Sequence, residues 1–245
     1  MPLEHPPGRS WLGGCAYLLC LLCTASLADE PNVDKVYAPY VEPLEREIEY
    51  RSIVQQDRRE GLDGVQIHRL SYGWSWAERW ASELYLIGGR NKGDQLVVDA
   101  VEFETLWQIT EQGEFWADWG LLFELERERG VDIWEYQTRL LTSKQWGRWV
   151  TTANLGVVYE WGSDIDNEWE SILSVQARYR LSPRFEPAVE LYSGEQTKGL
   201  GPIFLGEWRT GAGSRLRWQF GVIFGVDDAS PDQTWRAQLE YEFLQ

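Results

Sequence analysis

The sequence predicts an all-β fold, a transmembrane antiparallel up-and-down β-barrel of about twelve strands. Three observations carry that prediction. From residue 44 to residue 243, apolar and polar residues alternate with a period of two, segment after segment. That is the pattern of strands with two unlike faces. Tryptophan, tyrosine and phenylalanine crowd the ends of the apolar stripes, beside short turns. Beyond the leader, no stretch is long and apolar enough for a membrane helix, and none has a helical period.

Residues 1–28 read as an export signal. Arg9 is followed by the apolar run Trp11–Leu22 and then by "TASLA", which places Ser26 and Ala28 at the small positions before a cleavage site. Cleavage is expected after Ala28. "LGGC", ending at Cys15, has the look of a lipobox, but no apolar region precedes it. Cys15, Cys20, Cys23, His5 and Met1 all fall within the leader, so the exported chain has no cysteine, no methionine and one histidine, His68. This excludes a disulfide framework and a thiolate or thioether metal site. The net charge of −16 argues against a nucleic-acid partner, which calls for a basic patch. The length suits one domain or one barrel.

The segment "DEPNVDKVYAPYVEP" (29–43) precedes the first strand, and its prolines argue against regular structure. It reads as a periplasmic lead segment, with tail, plug and partner-binding arm all open. The barrel is expected over 44–245. Its alternation begins with Ile48, Tyr50 and Ser52 against Glu47, Glu49 and Arg51. Leu70, Tyr72, Trp74 and Trp76 oppose Arg69, Ser71, Gly73 and Ser75; Trp80, Ser82, Leu84 and Leu86 oppose Ala81, Glu83 and Tyr85. Val101, Phe103 and Trp107 oppose Glu102, Glu104 and Gln108; Phe115, Ala117, Trp119, Phe123 and Leu125 oppose Asp118, Glu124 and Glu126. Trp134, Tyr136 and Leu140 oppose Glu135, Gln137 and Arg139; Trp149, Ala153, Leu155 and Val157 oppose Thr152, Asn154 and Glu160. "RYRLSPRFEPAVELY" (178–192) supplies two strands around Ser182-Pro183, and a poorer one follows at about 202–210. Leu216, Trp218, Phe220 and Val222 then oppose Arg215, Arg217 and Gln219; Trp235, Leu239, Tyr241 and Phe243 oppose Arg236, Gln238, Glu240 and Glu242.

The connections alternate as well. Ala77-Glu78, Glu111–Glu114, Ser143–Gly147, Ser182-Pro183 and Gly211–Gly213 are tight. Gln56–Asp63, Gly88–Gln95, Arg127–Val131, Gly162–Glu168, Gly194–Leu200 and Asp227–Asp232 are longer and acidic. Short turns at one end and longer loops at the other suit an even-stranded barrel with both termini at the tight-turn end. Aromatic girdles bounding an aliphatic band are an interface signature, so the apolar parity is expected to meet lipid and the charged parity to line the lumen.

Over 44–243 this pattern resembles Gram-negative outer-membrane β-barrel proteins. The last strand, with Tyr241 and Phe243 at alternate positions, is similar to their assembly signal. It departs in having Gln238 where a glycine is often found, and Leu244-Gln245 after the last aromatic. Size and strand number are similar to narrow twelve-stranded porins for acidic oligosaccharides, and to barrels grouped with hydrophobic-compound or metal-resistance proteins. The resemblance implies a place in the outer membrane with both termini periplasmic. It implies contact with lipid and lipopolysaccharide, delivery by the outer-membrane assembly machinery, and no cofactor. The function it implies is passive or weakly selective passage of small solutes through a charge-lined lumen, without enzymatic activity. A sealed structural or interaction barrel is the alternative.

The lumen charges are the candidate site. Asp118, Glu124 and Glu126 on the fifth strand face Arg215 and Arg217 on the eleventh; Glu102, Glu104 and Glu135 extend the acidic wall, and Arg178, Arg180 and Arg184 a basic one. Walls of opposite sign would orient charged solutes. Pairing that closes the lumen, including pairing of the arginines with Glu186 or Glu207, competes with this reading. Asp164, Asp166 and Glu168 in "GSDIDNEWE" are a weak calcium candidate, lacking the glycine and distal glutamate of an EF-hand. A hydrolase built on His68, as in the outer-membrane phospholipases, lacks a serine on its face within the same strand: Ser71 and Ser75 have the opposite parity.

Overall fold

The computed structural model describes residues 33–59, 63–90, 93–195 and 197–244; the expected signal and its cleavage site lie outside them. Twelve strands follow one another: β1 Glu45–Gln56, β2 Gln66–Ala77, β3 Trp80–Arg90, β4 Val97–Gln108, β5 Asp118–Glu128, β6 Ile133–Trp146, β7 Trp149–Gly162, β8 Glu168–Tyr179, β9 Glu186–Ser193, β10 Lys198–Gly211, β11 Ser214–Gly225 and β12 Gln233–Leu244. Each pairs antiparallel with its sequence neighbour, and β12 pairs with β1 from Glu45↔Leu244 to Gln56↔Gln233. The sheet is therefore a closed barrel. Among the described residues there is no helix.

The expected sidedness holds. On β1, Glu49 and Arg51 are buried while Ile48 and Tyr50 are exposed. The same division runs through β4, where Glu102 and Glu104 are buried and Val101 and Phe103 exposed, and through β12, where Arg236 and Glu242 are buried and Leu239 and Tyr241 exposed. The outward parity carries leucine, valine and phenylalanine; the inward parity carries the charges. This inverts the arrangement of a soluble sandwich, whose apolar parity packs inward.

Aromatic stacks ring the outer face near the tight turns. Trp80 and Trp107 lie 5.3 Å apart and nearly parallel, with Trp76 5.5 Å from Trp80. Trp149–Tyr179 and Trp208–Trp218 continue the girdle. A second group, Trp134, Tyr159, Trp161 and Trp169, gathers at the other end across β6, β7 and β8. Each of these residues is visible in the sequence, but cross-strand register is what brings them together.

Several boundaries move. β10, expected to be poor, is a 14-residue strand, because its inward side, with Gly199, Gly201, Ile203 and Leu205, packs instead of carrying charge. Phe115 and Ala117 precede β5 rather than belonging to it; Asp118 accepts the Gly113 amide at 2.6 Å and folds that stretch into the turn. The expected turn Ser143–Gly147 shrinks to two residues, since β6 and β7 stay paired out to Trp146↔Trp149.

Replacing an outward mid-strand residue by a charge tests the assignment of faces. Leu155→Arg on β7 is expected to lower folding stability in lipid vesicles by about 2–4 kcal/mol, the cost of arginine near the bilayer midplane. An equal loss in a detergent-free soluble form would show that the face packs on protein instead.

Candidate functional site: the lumen and its N-terminal segment

The lumen is not empty. The lead segment, for which tail, plug and arm were open, runs inside the ring over residues 33–43. Val33 is fully buried against Ala188, Tyr192, Ile203 and Ile223. Asp34 pairs with Arg51, and its carbonyl accepts the Tyr192 hydroxyl at 2.7 Å and the Arg236 guanidinium. Tyr37 exchanges two hydrogen bonds with Asn154 of β7: its amide donates to Oδ1 and its carbonyl accepts from Nδ2, both at 2.8 Å. The side-chain amide of Asn154 thus does for the segment what a neighbouring strand would do. The Tyr37 hydroxyl donates to Glu104 at 2.8 Å, and its ring lies 5.0 Å from the Arg139 guanidinium. Tyr40 donates to Asp118 at 2.7 Å, and the Val41 amide to Gln108 at 2.7 Å. Gly120 makes room for the segment: a Cβ there would stand 2.9 Å from Pro39 Cβ. Leu44, at φ 66°, then turns the chain out of the lumen into β1.

Lys35 reaches an acidic part of the wall. Its Nζ lies 2.9 Å from Glu49, 3.6 Å from Glu83 and 3.1 Å from the Tyr85 hydroxyl. The rings of Tyr37 and Tyr85 stand at 4.7 and 5.8 Å.

The sequence-predicted site residues fall on the inward parity, apart from Arg180 and Arg184, which lie between β8 and β9 and are exposed. β5 and β11 stand opposite each other in the ring, as expected. The charges nonetheless pair locally rather than across the lumen. Arg215 engages Glu42, Glu45 and Glu242; Arg217 engages Glu42, Glu240 and Glu242. Glu124 pairs with Arg139 at 3.1 Å and Glu102 with Arg69 at 3.2 Å. Glu135 receives Gln137 at 3.4 Å, and Glu126 is buried on the same wall. Arg178 and Arg180 share Glu186, at 3.2 and 3.7 Å. A charge removed from water needs a close partner, and removing one member of a buried pair costs about 3–5 kcal/mol. Partners one or two strands away, or in the lead segment, meet that demand at shorter range than the far wall.

A cavity of about 800 Å³ remains between the segment and the tight-turn end. Ten acidic and five basic side chains line it, so its potential is negative. Glu104, Asp118, Arg178, Arg180 and Arg217 of the predicted set are among them. Sequence reasoning missed Glu47, Glu83 and Glu240 as part of the same wall. Their inward parity was the available signal. Glu47 and Glu83 crowd Gly73, where a Cβ would stand 2.6 Å from one and 2.9 Å from the other.

The weaker candidates separate. Asp164 accepts the Asp132 amide at 2.7 Å. Asp164, Asp166 and Glu168 are not among the acidic groups, found among the described residues, that bring three ligand atoms within 4.8 Å of one another. His68 lies on the outer face, where its Nδ1 meets the Tyr50 hydroxyl at 2.8 Å. A serine does share that face: Ser52 on β1 is the register partner of His68, a pairing invisible to a reading made strand by strand. No hydrogen bond joins the two, and Tyr50 takes the nitrogen instead.

At the long-loop end, the loops after β1 and β11 are latched. Arg59 holds Asp57 through its guanidinium at 2.7 Å and also reaches the carbonyls of Asp228 and Ser230; Arg58 reaches Asp232 at 3.0 Å. The Arg59 side-chain hydrogen bond holds the Asp57 carboxyl well below the usual carboxylate range.

A closed, helix-free ring of twelve antiparallel strands, apolar outside and charged within, is the fold of a narrow, porin-like outer-membrane barrel. The COG4313 outer membrane channel from Pseudomonas putida F1 is similar to it, with a TM-score of 0.59 at 16% identity over 87% of this chain and 100% of that one. So are the NanC porin, at 0.54 and 10% identity over 81% and 100%, and the KdgM porin in complex with disordered oligogalacturonate, at 0.53 and 10% over 81% and 99%. No protein-family model matches the sequence, and no curated protein matches it by sequence.

Two outcomes follow for these contacts. Asn154→Ala removes two hydrogen bonds to Tyr37, each worth about 1 kcal/mol, and is expected to speed hydrogen exchange of the Tyr37 amide roughly tenfold or more. Amides of the strand interiors are expected to stay unchanged. Asp57→Asn tests the loop latch. Because folding lowers this carboxyl's pKa, its contribution is full above the unfolded value near ~4 and fades as pH falls through the folded value. The stability difference between native and Asp57→Asn chains, read by urea unfolding, is expected to hold at neutral pH and shrink in acid.

Proposed function

We propose that this protein is an outer-membrane channel for small solutes, passing them through a charge-lined lumen that residues 33–43 occlude in the state described. The observation that carries this reading is the coexistence of a lipid-compatible outer face with an acid-rich internal cavity of about 800 Å³. A purely structural barrel has no need of such a cavity. The tight turns and the end of β12 lie on the periplasmic side, and the latched loops face outward. The mechanism is diffusion, with no cofactor and no bond made or broken. Release of the N-terminal segment opens the path. The acid excess disfavours polyanions of the kind bound in the KdgM porin complex, since like charge in a narrow passage repels, and favours cations and neutral polar solutes.

Planar-bilayer recording tests this. The mature chain is expected to show small, infrequent conductance steps, and a chain lacking residues 29–41 larger and lasting ones. Under a KCl gradient the reversal potential is expected to report preference for K⁺. The absence of steps from both chains, at any salt, leaves a sealed barrel and overturns the proposal.

A further inference from the structure

Lys35 is an ammonium held by the lumen in a manner its sequence position does not require. Two carboxylates from different strands, Glu49 of β1 and Glu83 of β3, approach it at 2.9 and 3.6 Å, and the Tyr85 hydroxyl at 3.1 Å. The Tyr85 ring adds a face at 5.8 Å. Carboxylates for the charge and an aromatic face for its weakly hydrated side are the elements that recognise organic ammonium groups. The barrel itself builds all of these; the lead segment contributes only Lys35 and the Tyr37 ring.

A second observation points the same way. Gln238, 3% exposed, lines the same cavity. Its Nε2 donates to Glu49 Oε2 at 2.8 Å, the oxygen that also takes Lys35. Its Oε1 is buried with no hydrogen-bond partner. A buried acceptor left without a donor costs about 1–3 kcal/mol, and what satisfies it is another N–H. The wall therefore has an acceptor in excess of what Lys35 fills.

We infer that the Glu49–Glu83–Tyr85–Gln238 wall is a binding site for primary ammonium solutes, and that Lys35 is a tethered occupant which a soluble amine displaces. This rests on the lumen being a solute passage and names the class of solute it selects. Lys35 competes at the high effective concentration of a tethered group. The apparent affinity of a soluble amine is accordingly reduced by the small fraction of time the site stands free.

The test uses the full mature chain in detergent micelles, so that binding is read without conduction. Putrescine is the probe and 1,4-butanediol its uncharged counterpart. By calorimetry, Lys35→Ala is expected to bind putrescine about tenfold or more tightly than the native chain. Lys35→Arg, which keeps a cation in place, is expected to stay near native. Adding Glu83→Gln to Lys35→Ala is expected to remove the gain. Heat-modifiable mobility on a gel confirms that each variant is folded. In the unaltered protein, putrescine is expected to raise labelling of Lys35 by a small amine-reactive reagent, read by mass spectrometry, while butanediol leaves it unchanged. That measurement decides the matter if Lys35→Ala does not fold. A folded Lys35→Ala chain that binds putrescine no better than native, or Lys35 labelling indifferent to putrescine in the native chain, overturns the inference. Conductance without amine binding would sink this inference alone; amine binding without conductance would sink the channel alone.

Discussion

The pairing of β1 with β12 is the interaction on which the rest depends. In hydrocarbon, an unpaired backbone N–H or C=O costs several ~kcal/mol, so a sheet with open edges is not a stable answer there. The twelve register pairs from Glu45↔Leu244 to Gln56↔Gln233 remove both edges. Closure has a consequence for side chains. With a period of two, every second residue is committed to an enclosed space, and here many of those residues are glutamates, aspartates and arginines. Enclosed charge demands partners. The barrel therefore inherits an electrostatic problem from the same geometry that solves its backbone problem.

The N-terminal segment is one answer to that problem. Lys35 brings a cation to Glu49 and Glu83, and Asp34 brings an anion to Arg51, which Glu49 also holds. Tyr37 and Tyr40 donate to Glu104 and Asp118. Val33 fills the apolar patch between β9, β10 and β11. Each contact is made by a short, irregular stretch whose backbone gets its hydrogen bonds from lumen side chains, Asn154 and Gln108, instead of from a strand. A segment held this way can leave without unpairing any rung of the barrel ladder. That is a structural requirement for a gate, since a conducting path must open without exposing a sheet edge.

Periodicity made the barrel readable from sequence. Alternation is a local signal, and it placed Glu102, Glu104, Asp118, Glu124, Arg215 and Arg217 on the inner face correctly. What periodicity does not carry is register. The outer-face neighbours Ser52 and His68 sit on different strands, and so do Glu49 and Glu83 around Lys35; only pairing brings them together. The expected opposition of β5 and β11 is right as ring geometry. It did not reveal that Arg215 would engage Glu242 on the next strand and Glu42 in the lead segment. The lead segment was the hardest to read. Prolines at 31, 39 and 43 mark what "DEPNVDKVYAPYVEP" cannot form, and say nothing of where it lies. Its position is decided by single contacts, such as Tyr37 with Asn154, that leave no periodic trace. β10 went the other way: its glycine-rich inner side weakened the alternation while helping it pack.

These pieces constrain how such a gate moves. Withdrawing the segment removes Lys35 from Glu49 and Glu83, and the Tyr37 and Tyr40 hydroxyls from Glu104 and Asp118. It thus strips the cation from Glu49 and Glu83, and, because Asp34 and Glu42 leave with the segment, it also frees Arg51, Arg215 and Arg217 of a partner each. An opening that simply empties the lumen is opposed by the exposed charge. A solute shifts the equilibrium only by the difference in its affinity for the two states. A neutral solute replaces none of the lost cation and has little leverage. An ammonium that takes the place of Lys35 restores the pairing the segment supplied, so its binding energy is spent on the open state. Selectivity and gating then have one physical origin: the carboxylates that the closed ring confines are satisfied either by the protein's own lysine or by the cargo.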